Sequence, residues 1–196
     1  MKKNKDLENL KVQTRRKEKI KKELVDKRWI LTILIISFII SFLLSFVSEI
    51  TVPNFNLVIG VIVTLLFIIL GILFDIIGVS VTTADEKVFH SMNSRKVKGA
   101  NIAVLFKKNS EKVSSFCCDV VGDICGVISG STAVTISTLI SKTTSINLFF
   151  MTLLTTAIVA SLTIGGKAIG KSFAINKCDI ILYKFSKFVS YFYKCK

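Results

Sequence analysis

Three carboxylates stand inside or beside apolar runs. Asp75 interrupts a long one, and Asp119 and Asp123 open another, one helical turn apart. Ser80, Thr82, Thr83 and Ser115 lie close to them in sequence. Carboxylates, hydroxyls and backbone carbonyls are hard oxygen ligands, suited to Mg²⁺. An acid within a membrane span is costly and is a functional candidate by default. Asp75, Asp119, Asp123, Ser80 and Ser115 are therefore the candidate cation site, with Mg²⁺ as the bound or transported ion and no other cofactor. A second reading stands beside it for Asp119 and Asp123, as acids at a helix start favoured by the dipole.

A second pattern is GGKAIGKS, residues 165–172, which fits GxxxxGK[ST] letter for letter. A phosphate-binding loop must follow a buried strand and open a helix. Here the preceding apolar run is of helix length, and no βα core follows. A glycine-rich helix end at the membrane surface fits better. His90, the one histidine, lies in a polar stretch and suits a structural role. The five cysteines form no CxxC pair and read as small apolar residues. No nucleophile–base pair and no HExxH is present, so no enzyme activity is expected.

The elements that must position these residues are spans. The chain has 196 residues, 51% of them hydrophobic, and a net charge of +14. Such a charge suits nucleic acid. The cations, however, are segregated into 1–28, 84–115 and 167–196, flanking apolar runs in the positive-inside pattern. Nucleic acid is accordingly not expected as a partner. Uncharged runs of about 20 residues cross a bilayer. Spans are predicted at 29–48, 57–83, 116–140 and 146–166. The fold class is all-α membrane protein: four transmembrane helices with amphipathic cytoplasmic interfacial helices. Residues 1–28 form a basic N-terminal segment, 29–170 the transmembrane domain, and 171–196 a C-terminal amphipathic helix.

Both termini are expected in the cytoplasm, in the inner (plasma) membrane, with no signal sequence removed. Lys142 is the one cation expected outside. The basic segments should attract anionic lipid. Gly122, Gly126 and Gly130 recur every four residues on one helix face, where a second backbone can approach closely.

LFDIIGVSVTTA (73–84), VKGAN (97–101), KVSSFCCDVVGDICG (112–126) and GKAIGKSFA (166–174) come in an order that resembles the membrane domain of the CorB/CorC/CNNM magnesium and cobalt transporter family. The resemblance covers about residues 57–195, leaving the first span as an addition. It implies divalent-cation (Mg²⁺/Co²⁺) transport and a homodimer. The family's GE-x-x-PKSLA motif is matched at Gly166, Lys171, Ser172 and Ala174. Its glutamate, associated there with the cation, is replaced by Lys167, and its proline by Gly170. These residues contain no counterpart of the family's cytosolic CBS domains. Lys167 would then be a tethered cation, paired with Asp75 or Asp123 where an ion would otherwise sit. The alternative function is a non-transporting membrane scaffold or partner subunit whose acids pair with lysines.

Overall fold

The computed structural model describes residues 27–54, 57–144 and 147–192. Most of the basic segment 1–28 lies outside them. The described residues are almost entirely helical and contain no strand. Four helices are long and apolar enough to cross a membrane, so the chain is an all-α, multi-pass membrane protein.

Contacts divide the chain into two units, Met1–Ile39 and Ile40–Lys196. The described part of the first is the opening half of α1 (Lys27–Asn54). Trp29 stands at its start, where an indole anchors at the bilayer interface. The helix continues past 48, the predicted end of the first span, and takes Pro53 into its last turn.

The second unit is organised around α2 (Leu57–Thr83). At 1.5 Å per residue its 27 residues reach about 40 Å, enough to span and protrude. The protruding end is followed after two residues by α3 (Glu86–Ser94), then α4 (Ala100–Lys108) and α5 (Ser110–Ser115). From α5 the helix runs on through a π-helical segment (Phe116–Gly122) into α6 (Asp123–Thr144). The third predicted span is thus longer than 116–140 at both ends. The fourth, α7 (Leu148–Asn176), continues ten residues past 166 and ends just before α8 (Cys178–Phe192).

Lipid gives no hydrophobic drive between helices, so close packing and interhelical hydrogen bonds hold them. α2, α6 and α7 pack on one another as a three-helix bundle. Ile72 and Ile76 of α2 seat against Gly166 and Gly170 of α7, where an added Cβ would meet them. In return Gly71 receives Cys125 of α6, and Gly78 receives Cys118 of the π segment. The hydroxyls of Thr64 and Thr132 stand 2.8 Å apart, as do those of Ser137 and Thr152. Beside Thr64, Ala133 and Thr155 the three helices line an open apolar cleft of about 230 Å³.

The amphipathic segments do not spend all their apolar faces on lipid. Val81 and Ala84 at the end of α2, Phe89 of α3, Ala103 of α4 and Leu182 of α8 are buried together. Phe106 stacks on Phe185 with ring centroids 5.5 Å apart. Together these helices form a cap. Lys107 donates to the carbonyls of Thr82 (2.6 Å) and Val81 (3.3 Å), neutralising the end of α2. Asp85 N-caps α3, while its own N–H is taken by Asp179 of α8. One fault remains: the Ser186 hydroxyl is fully buried without a hydrogen-bond partner. Ser186→Ala is expected to raise stability by about 1 kcal/mol, because the desolvated hydroxyl disappears. Thermal unfolding in detergent reads this directly; a fall in the midpoint would mean that the hydroxyl has a partner.

Candidate functional site

Asp75 sits two turns from the end of α2, facing inward. Its side chain is only 4% exposed. Nothing hydrogen-bonds to its Oδ2. The nearest cation, Lys171 Nζ, stands 3.8 Å away, too far for a hydrogen bond. Around the same turn, the Cys118 thiol donates weakly to the Asp75 carbonyl at 3.7 Å and lies 3.9 Å from the Ser114 hydroxyl.

Asp123 opens α6 and is 69% exposed, yet Lys167 Nζ donates to its Oδ1 at 3.0 Å. Lys167 and Lys171 lie four residues apart, so both ammonium groups leave α7 on one face. That face reaches an acid on each of its two neighbours, Asp123 on α6 and Asp75 on α2. Of the two partners considered for Lys167, Asp123 is the one it reaches.

The other candidates are placed differently. Ser80 is fully buried, and its hydroxyl donates to the Ile76 carbonyl at 2.7 Å. Thr82 and Thr83 both donate to the Val79 carbonyl. Asp119 lies in the π segment with its side chain exposed, and Ser115 ends α5 half-buried. Among the described residues, no three His, Cys, Asp or Glu side chains come close enough together to hold a metal. Asp75 and Asp123 thus each face a lysine of α7, and the Ser80, Thr82 and Thr83 hydroxyls are spent on helix carbonyls.

The P-loop look-alike resolves clearly. Residues 165–172 lie in the interior of α7, where backbone N–H groups are committed to the helix and cannot cradle a phosphate. Its Gly166 and Gly170 serve as the notch for Ile72 and Ile76. The glycine series of the third span also divides. Gly122 points into the bundle, 3.6 Å from Lys167 Nζ at the Cβ position, while Gly126 and Gly130 face open space.

Sequence reasoning missed the π segment and the Cys118 contact. The vicinal cysteines gave no signal, because their role depends on Gly78 of another span. No family model matches the chain, and no curated protein is similar to it.

Proposed function

We propose that this protein is a transporter-like membrane bundle, similar to the CorB/CorC/CNNM membrane domain, in which tethered ammonium groups stand where a divalent cation would bind. It serves as a degenerate, non-transporting partner subunit or scaffold. The observation that carries this reading is the 3.0 Å pair between Lys167 and Asp123, at the motif position where the family has glutamate. A cation held by its own side chain cannot diffuse across, and it repels Mg²⁺ from the neighbouring acids.

Active divalent-cation transport has one observation in its favour. The Asp75 Oδ2 atom is a buried hard ligand that makes no hydrogen bond and has only the long 3.8 Å contact to Lys171. The protein sits in the cytoplasmic membrane with both termini inside. It pairs with a second copy through the open Gly126 and Gly130 face of α6, which also brings cover to the exposed Asp123.

Calorimetry with Mg²⁺ on purified protein in detergent separates the readings. Wild type should give no saturable heat, whereas Lys167→Glu should create a site, because it exchanges a repelling charge for an oxygen ligand. Saturable binding in wild type that Asp123→Asn abolishes would replace this proposal by transport.

A further inference from the structure

Helix α8 has two faces. Leu182 and Ser186 are buried in the cap, flanked by Phe185 and Val189. On the other side, Ile180, Lys184, Lys187, Phe188 and Tyr191 are all exposed, Tyr191 by 87%. At 3.6 residues per turn these five fall in a strip about 100° wide. An exposed apolar patch rimmed by polar groups marks a protein or membrane interaction site. Interleaved with lysines, they make the composition of a helix that lies in a membrane interface.

The strip continues onto the turn between α3 and α4. Gly99, at φ +87°, lies so close to the Lys187 backbone that an added Cβ would stand 2.9 Å from its Cα. This brings the turn carrying Arg95, Lys96 and Lys98 alongside. Among the described residues, no carboxylate reaches ion-pair distance of these three or of Lys184 and Lys187. Lys96 itself closes α3 in the left-handed conformation, at φ 55°, with Val97 N–H bonded to Met92 O and Lys96 N–H to Asn93 O. Glycine is the ordinary occupant of that position. A lysine there trades backbone ease for a positive charge.

We infer that this face of the cap, Lys184, Lys187, Phe188 and Tyr191 with the Arg95–Lys98 turn, docks on the anionic phospholipid headgroups of the leaflet from which the spans emerge. Charge complementarity selects the phosphate layer. The chain supplies proximity, since α8 follows α7 after one residue and α3 follows α2 after two. The aromatics enter the acyl boundary while the lysines stay at phosphate level. The inference is independent of the lysine–acid pairs within the bundle.

The test is amide hydrogen exchange on the full chain in nanodiscs, with phosphatidylcholine alone or mixed with phosphatidylglycerol. Amides of α8 should exchange more slowly in the anionic discs, and added salt should reverse the effect. Lys184→Gln with Lys187→Gln should cut that protection about 25-fold, at roughly fivefold per cation. Phe188→Ser with Tyr191→Ser should weaken it while leaving the salt dependence intact. The amides of Phe89 and Ala103 report whether each variant keeps its cap. Equal protection in both lipids, or protection untouched by the glutamine pair, overturns the inference. Protection that follows an added RNA oligonucleotide rather than the lipid overturns it in favour of nucleic acid.

Discussion

Alanine in place of Lys171 is expected to cost about 2–3 kcal/mol of stability in detergent, more than loss of the acid that it faces. Breaking a buried ion pair from one side costs about 3–5 kcal/mol, because the remaining charge stays buried and uncompensated. The Lys171–Asp75 pair falls below that range for two reasons: the ammonium is half-exposed, and 3.8 Å is a long contact. Asp75→Asn removes the charge itself and should cost less. The double variant should recover most of what Lys171→Ala loses, since neither charge remains. Unfolding followed by circular dichroism gives the coupling. If Lys171→Ala proves neutral, the ion-pair account fails.

Gly78→Val should be the most damaging single change in the bundle, at about 3 kcal/mol, the upper end of overpacking costs. A Cβ at this position overlaps the Cys118 sulfur. It also comes within 3.2 Å of Cys117 Cβ and of the Ser114 carbonyl oxygen. The sulfur can be removed, but the carbonyl is backbone and cannot yield. Gly78→Ala should therefore be partly rescued by Cys118→Ala, and Gly78→Val should not. Gly126→Ala is the matched control, with no atom within 4 Å of its Cβ position. It should leave the monomer's stability unchanged or slightly raised, because alanine favours the helix. If Gly78→Val and Gly126→Ala behave alike, α2 does not pack on the π segment in the way described.

The architecture was readable wherever one physical rule dominated. Span 57–83 coincides with α2 because a long apolar run, with Asp75 its one charge, followed by Asp85 and Glu86 leaves little choice. The spans around Phe116 and Gly166 were drawn too short. Polar residues there invited a boundary, but helices carry lysines and acids out of the bilayer without breaking, and no proline stops them. The amphipathic pattern of 171–196 was visible, whereas its target was not. Periodicity identifies an apolar face, and only the fold tells whether lipid or Phe89 and Ala103 cover it. Within the candidate site, Lys167 and Asp123 were legible as charges too costly to leave alone in a membrane. That Lys171 rather than Lys167 faces Asp75 depends on how α7 turns over α2, which Gly166 and Gly170 decide through Ile72 and Ile76.

The cap also imposes an order of assembly. Its core joins Val81, Phe89 and Ala103 to Leu182, across a stretch that contains two complete spans. In a chain made from the N-terminus, α3 and α4 emerge early and their apolar faces lack a cover until α8 has been synthesised. During that interval Phe89 stands open to chaperones, to lipid and to the same segment of neighbouring nascent chains. Non-local contacts of this kind form slowly and leave an intermediate prone to misassembly. Damage to α8 should therefore appear first as a loss of yield in the membrane, before it appears as a change in the finished protein.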